Sequence, residues 1–150
     1  MDYKALMQQA ISLAKEAGIK GDVPVGALVV DDSGKIIAQG ANLREQNNDP
    51  TAHAEIVAIR GAAKKIGNYR LDDLTIFVTL EPCGMCAGAI VQSRINRLVF
   101  GAFDEKAGAV GSVWDLLRDS KAIHKPEVIS GVLGTESTSI LRNFFESFRR

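Results

Sequence analysis

The sequence predicts an α/β protein: a three-layer α/β/α sandwich with a central mixed five-stranded sheet. Three observations predict it. Helical and strand periodicities alternate along nearly the whole chain. Five short apolar runs have strand length and are bounded by turn residues. No repeat, low-complexity tract or linker divides the 150 residues, so a single domain over 1–150 is expected. With 46% hydrophobic residues the chain can bury a full core without staples.

The elements follow in order. Residues 3–17 place Met7, Ala10, Ile11 and Ala14 on one helical face, and Gly18 follows as a C-terminal stop. The valine-rich run 25–30 and the run 35–39 flank Asp31-Asp32-Ser33-Gly34, a hairpin signal. Residues 42–50 are polar, hold Asn47-Asn48-Asp49-Pro50, and read as a loop. Thr51 stands where it can N-cap a helix over 52–66, which Gly67-Asn68 ends. A buried strand over 74–80 comes next. Then a helix opens at Pro82, whose missing N–H has no intrahelical partner there in any case, and runs to 92. A strand over 97–102, a loop marked by Gly108 and Gly111, a short helix over 112–118, a strand over 127–132 and a helix over 135–148 complete the chain. This alternation covers a sheet on both faces. The crossovers after residue 80 require parallel strands there, with right-handed connections.

Charge and cysteine usage narrow the function classes. Eighteen basic and 18 acidic residues cancel. That argues against a protein that coats nucleic acid, whose domain pI would exceed about 9, and leaves a small metabolite or a locally gripped RNA loop. Two cysteines offer no disulfide framework. In a chain of cytosolic composition a close pair points to metal binding or catalysis. Met1-Asp2-Tyr3-Lys4 lacks the layout of a signal peptide, and no apolar run approaches the ~20 residues of a membrane span. A cytoplasmic protein with no membrane partner is expected.

Two segments carry the chemistry. His53-Ala54-Glu55 stands near the start of one expected helix, and Pro82-Cys83-Gly84-Met85-Cys86 opens another. Cys83 and Cys86, three apart, share one face of a first helical turn. There the positive end of the helix dipole lowers thiol pKa and favours a metal. A catalytic zinc takes three protein ligands and keeps a fourth position for water, whereas a structural zinc is closed by four. The chain supplies one His and two Cys, and its other histidine, His124, is far off in sequence. An open fourth position is therefore expected. Zinc lowers the pKa of bound water from 15.7 to roughly 7, a gap of about 9 units or about 12 kcal/mol. Deamination also needs a group that takes the water's proton and delivers it to the leaving amine, and Glu55 fits that role. His-X-Glu followed by Pro-Cys-X-X-Cys is the established signature of zinc base deaminases, in which the Glu is not a ligand.

One feature resists simple periodicity: residues 53 and 55 diverge by about 200° on an ideal helix. Both serve one site only if the site lies over the helix end. Taken alone, Cys-X-X-Cys also suits a redox dithiol or half of a structural zinc site. Glu81 reads as a local hydrogen-bonding residue rather than a catalyst, Met85 as packing, and His124 as a surface or loop residue.

With these residues in place, the chain resembles the bacterial tRNA-specific adenosine deaminases of the cytidine deaminase-like superfamily. The resemblance runs through Asp22-Val23-Pro24-Val25-Gly26-Ala27, through Asp49-Pro50-Thr51-Ala52-His53-Ala54-Glu55, and through residues 68–71, 78–90 and 100–102. Near the end it includes Gly131-Val132-Leu133 and Phe144-Phe145 with Arg149-Arg150. It implies a homodimer that converts the wobble adenosine of a tRNA anticodon loop to inosine, usually in the arginine tRNA with an ACG anticodon. It implies one zinc ion per subunit on His53, Cys83 and Cys86, with a zinc-bound hydroxide as attacking species and Glu55 as proton shuttle. It also implies that Asn42, Ala54 and Pro82 hold the flipped purine, and that Asp104, Lys106, Phe145 and Arg149 lie near the anticodon stem-loop. An RNA loop suits such a site, because its bases can be splayed out and stacked on aromatic rings. Phe144 and Phe148, spaced i,i+4, read as the core face of the last helix; Phe145 lies off that stripe and is the better RNA candidate. Two alternatives stay open. Deaminases of free bases such as guanine or cytosine share the same metal motif, and a non-catalytic zinc module would make Glu55 expendable.

Overall fold

A hairpin starts the sheet. In the computed structural model, which describes residues 1–148, β1 (Gly26–Val30) pairs antiparallel with β2 (Ile36–Ala41) across the Asp31–Lys35 turn. The Asp31 carboxylate fixes that turn by accepting from the Ser33 and Lys35 N–H groups at 2.9 and 3.0 Å. β1 also pairs antiparallel with β3 (Thr75–Leu80). β3, β4 (Arg97–Ala102) and β5 (Glu127–Ile129) then run parallel, giving the order β2-β1-β3-β4-β5. The sheet is mixed and five-stranded, as expected, and the crossovers after residue 80 join its parallel strands.

Helices fill both outer layers. α1 (Tyr3–Ile19) buries Leu6, Met7, Ala10 and Ile11 against Leu28, Val30, Phe77 and Val99 on one face of the sheet, and Ala14 is buried too. The last helix, α5 (Gly134–Phe148), lies on that face too, with Ile140 packed against the same cluster. On the other face α3 (Ala54–Ile66) and α4 (Gly84–Ser93) pack Ala54, Ala58, Ala62, Ala87 and Ile90 onto Val29, Ile76, Val78 and Phe100. Small residues let α3 lie close to the hairpin: at Gly40 of β2 a Cβ would stand 2.5 Å from the Ala54 carbonyl. No helix among the described residues is long and apolar enough to cross a membrane.

Several elements depart from the sequence reading; α1, for one, runs through Gly18 to Ile19 and is capped at Lys20. The polar stretch 42–50 contains a short helix, α2 (Arg44–Asn47). It forms because the buried Asp22 carboxylate accepts from the Glu45 N–H at 2.6 Å and the Gln46 side chain at 2.7 Å, a cap from 23 residues away. Residues 112–118 are not a helix. Their bonds run to the loop instead, with a Val110–Asp115 bridge and Gly111, at φ +125, donating to the Trp114 carbonyl. β5 stops at Ile129 rather than 132. Finally, Phe148 is not core: it is 68% exposed, and α5 buries only Ser137 completely. The i,i+4 stripe is real but leaves the sheet, so Phe144 is half-buried and stacks edge-on against Phe145 and Phe148 at 5.5 and 4.7 Å.

Candidate metal centre and substrate cavity

Two helix starts converge on one point. The N-cap of α3 is His53 (φ −68, ψ 153) and that of α4 is Cys83 (φ −76, ψ 179). Both are extended, and neither side chain caps its own helix. They face each other instead. His53 Nδ1 lies 3.6 Å from Cys83 Sγ and 3.5 Å from Cys86 Sγ, and the three ligand atoms fall within 4.8 Å of one another. A tetrahedral zinc with Zn–S near 2.3 Å and Zn–N near 2.05 Å has an N···S edge of about 3.6 Å. The donor set fits zinc in identity and spacing. The expected helix starts shift accordingly. Thr51 does not cap α3, because its hydroxyl is taken by Asp49 Oδ1 at 2.8 Å. Pro82 precedes α4 by two residues.

The electrostatics match a cation site. The positive ends of two helix dipoles meet there. The Cys86 thiol hydrogen-bonds Cys83 and, against burial and together with His53, holds the Cys83 thiol down to about 3. The same bond, with burial and the Glu55 carboxylate, pushes Cys86 up. The contact with Cys83 raises His53 against its burial. Without a cation the cluster thus keeps one thiolate beside one thiol.

Glu55 sits in the first turn of α3, one residue into the helix, and is 4% exposed. Burial pushes its carboxyl up to about 7, opposed by its own backbone N–H and by His53. His53, as the extended N-cap, and Glu55, in the first turn, both line the cavity that takes in Cys83, so positions 53 and 55 meet at the helix end despite their angular separation.

A cavity of about 790 Å³ takes in His53, Glu55 and Cys83. Of the residues expected from sequence, Asn42, Ala54, Asp104, Lys106 and Phe145 all line it. Asn42 is buried and aimed by two bonds: its Nδ2 donates to the Val23 carbonyl and its Oδ1 accepts from the Arg44 N–H, both 3.2 Å. The Asp104 carboxylate accepts from the N–H groups of Lys106 (3.1 Å) and Ala107 (3.2 Å), shaping the turn that presents Lys106. Pro82 lies just outside this lining, between Glu81 and Cys83, which belong to it; it is buried, and its carbonyl accepts from the Ala109 N–H at 2.8 Å. Arg149 lies outside the described residues. His124 stands away from the site, with Nε2 2.7 Å from the Ile95 carbonyl. Met85 is not packing but 39% exposed.

Sequence reasoning missed Arg44 and Phe103, both in the wall. Arg44 was hidden in a stretch read as loop, although it follows Asn42 by two residues. Phe103 directly follows the run Phe100-Gly101-Ala102. It is 56% exposed yet stacked edge-on against Phe100 at 5.1 Å, and a large apolar residue just past a strand end was the available signal.

Glu81 behaves as expected. It is 2% exposed, and its carboxylate accepts from three backbone N–H groups and one hydroxyl. Burial alone would raise its pKa, but the bonds from Ser112, Asp104 and Val110 outweigh it and hold the group below its ordinary value.

Comparison with known proteins agrees with this geometry. The family model of the MafB19-like deaminases matches residues 1–149. The chain is 54% identical over 144 residues to a tRNA-specific adenosine deaminase of Haemophilus influenzae, covering 96% of this chain and 83% of that protein. It is 48% identical to one from Bacillus subtilis, covering 96% and 89%. Among solved structures, one from work on A-to-I editing by tRNA:A34 deaminases at the wobble position superposes with a TM-score of 0.88 at 44% identity, over 91% of this chain and 99% of that one. The guanine deaminase of Nitrosomonas europaea superposes at 0.81 with 26% identity, over 94% and 83%.

Proposed function

The chain belongs to the MafB19-like deaminase family, and from that premise we propose that it hydrolyses the wobble adenosine of a tRNA anticodon loop to inosine, with the arginine tRNA bearing an ACG anticodon as its first substrate. The observation that carries this reading is the placement of Glu55, buried beside the His53–Cys83–Cys86 cluster, in a cavity whose wall extends to Lys106 and Phe145. At about 790 Å³ the cavity lies in the upper part of the ~300–1,000 Å³ range of small-molecule sites. It has room for more than a bare base.

His53, Cys83 and Cys86 would hold the zinc. When bound, the ion makes water acidic enough to act as a nucleophile near neutral pH. The remaining work falls to the chain's own residues. Glu55, with its carboxyl near 7, can carry the two protons of water in turn, the first to the purine ring and the second to the departing amine, without a large penalty in either direction. Asn42 has its carbonyl oxygen engaged by Arg44 and one N–H by Val23, leaving an N–H of fixed direction for the purine. The first-turn amide of Ala54 has no partner inside its helix and lines the same space. Asp104, Lys106 and Phe145 would grip the flanking nucleotides, joined by Arg149 on the strength of sequence alone. Ammonia leaves as the oxygen from water becomes the inosine carbonyl.

We also infer a homodimer in the cytoplasm. Support for the dimer comes from a patch of exposed Met85, Val113, Trp114 and Leu116. Its parts adjoin: Leu116 Cδ1 stands 3.9 Å from the Cβ position of Gly84, at the start of α4. Such patches on small proteins mark interfaces. Trp114→Glu should yield a lighter species in sedimentation.

One assay pair tests the activity. Zinc-loaded protein is incubated with an anticodon stem-loop and, separately, with free adenine, guanine and cytosine. Inosine at the wobble position with no ammonia from the bases is the expected result. Ammonia from guanine or cytosine with an intact stem-loop overturns it in favour of a free-base deaminase.

A further inference from the structure

Glu81 takes no part in the chemistry above, yet it is a charged side chain enclosed in the protein. It follows β3 and precedes the Pro82–Cys83 turn. Among the described residues, all the partners of its carboxylate belong to one loop. They are the N–H groups of Asp104 (3.0 Å), Val110 (2.9 Å) and Ser112 (3.1 Å), and the Ser112 hydroxyl. A carboxylate so buried is tolerated only when its oxygens are paired. Gly108 makes room for it, since a Cβ there would run into the Glu81 carboxyl. Backbone bonds join the same two segments: Ala109 N–H to the Pro82 carbonyl, and an antiparallel bridge between Cys83 and Gly108. The loop is otherwise open to solvent at Glu105, Lys106 and Ala107. These three residues, with Asp104, form part of the cavity wall.

We propose that Glu81 is a positioning residue for the substrate: by gathering the 104–112 loop around one carboxylate, it sets the distance between the RNA-facing wall and the turn that carries Cys83. The assignment deepens the tRNA reading and rests on it. Its consequence is a division of labour. Glu55, His53 and Cys86 are held by α3 and α4 rather than by the loop, and Cys83 is fixed as the N-cap of α4 as well as by its bridge to Gly108, so losing the clamp weakens substrate binding more than the chemical step.

Glu81→Gln keeps the shape but turns one acceptor oxygen into an NH₂ group facing N–H donors. In zinc-loaded protein, metal content should stay at the parent value. KM for the stem-loop should rise about tenfold while kcat stays within about threefold. Hydrogen exchange at the amides of Asp104, Val110 and Ser112 should quicken at least about tenfold. Acrylamide quenching of Trp114, the chain's one tryptophan, should increase, because its N–H and carbonyl bond to Gly108 and Gly111 of the same loop. Unchanged exchange at those amides, or a fall in kcat at constant KM, overturns the proposal. If Glu81→Gln does not fold, Ser112→Ala removes a single bond from the loop side and should raise KM about threefold; an unchanged KM there is equally fatal. Exchange reads the clamp whatever the substrate. A parent protein inert towards the stem-loop would therefore sink the tRNA reading and the substrate half of this proposal, whereas unchanged exchange would sink the clamp alone.

Discussion

His53 and Glu55 are two residues apart yet serve one centre, because His53 is the extended N-cap of α3 and Glu55 lies in its first turn. One side chain leaves the helix end before helical geometry begins, and the other lines the same cavity from the first turn. The polypeptide thus sets a ligand and a proton carrier side by side with no intervening loop. Glu55→Ala should keep its zinc and its fold while turnover drops by at least about 10²–10⁴-fold, measured as inosine formed per zinc-loaded chain. A variant with full zinc and the parent rate would falsify the shuttle role.

The same carboxyl predicts a pH dependence. Its folded pKa, near 7, lies above its ordinary 4.5. Below pH 4.5 both folded and unfolded chains hold the proton and no stability is lost. As pH rises from 4.5 to 7 the unfolded chain ionises first, so stability declines, and the loss levels off above 7. In metal-stripped protein, Glu55→Gln should match the parent at pH 4.5 and exceed it at pH 8 by on the order of 3 kcal/mol. His53 and Cys86 both feel the Glu55 charge, so the difference reads the carboxyl together with its effect on them. Urea melts at the two pH values read the difference; a gap independent of pH contradicts the buried, proton-holding carboxyl.

Much of this was legible in the sequence for definite reasons. The strand over 97–102 is bounded to the residue, because its apolar run is buried throughout. The alternation of elements fixed the parallel half of the sheet. The metal set was legible because few residue types bind zinc. Features depending on distant partners were not legible. Thr51 looks the better cap than His53, but Asp49 claims its hydroxyl. α2 exists through Asp22, and the loop at 104–112 through Glu81. Phe148 keeps perfect helical spacing with Phe144, yet spacing does not reveal where a helix runs past the edge of its sheet.

Metal binding should release protons. Cys83 is already a thiolate, but Cys86 is pushed up by its bond to Cys83 and by burial, and must give up its proton to act as a ligand. Titrating zinc into stripped protein at pH 7 should release about one proton or more, and affinity should climb with pH. Calorimetry in two buffers of different ionisation enthalpy measures this directly. Identical heats in both buffers would mean that the pair is fully ionised beforehand.

Lys106 is exposed on the cavity wall and held in its turn by Asp104. If it meets a phosphate, Lys106→Ala should weaken stem-loop affinity and flatten the slope of log affinity against log salt by about 0.7–1, leaving zinc content untouched. Arg44→Ala, also in the cavity wall, should act in the same sense. Parent affinity and slope in both variants would move the RNA surface elsewhere.

Gly40 tests whether the site's precision comes from the seat of α3. A Cβ added there would stand 2.5 Å from the Ala54 carbonyl, 2.8 Å from the Ala58 nitrogen and 3.0 Å from Val57 Cβ. All three belong to the helix that begins at the metal cluster, and two are backbone atoms that cannot swing aside. Restoring van der Waals contact requires α3 to move by roughly 1 Å, carrying His53 and Glu55 with it. Overpacking of this kind costs about 1–3 kcal/mol, and a displacement of that size at a catalytic group costs about 10²-fold in rate. Gly40→Ala should therefore lower both stability and kcat/KM. Gly61→Ala, on the same helix, meets only the Ala38 side chain at 3.3 Å. It should stay within about 1 kcal/mol of the parent and keep full activity. Thermal melts and stem-loop kinetics on the two variants separate the seat of the helix from its composition; a fully active Gly40→Ala protein would show that the centre tolerates a shifted α3.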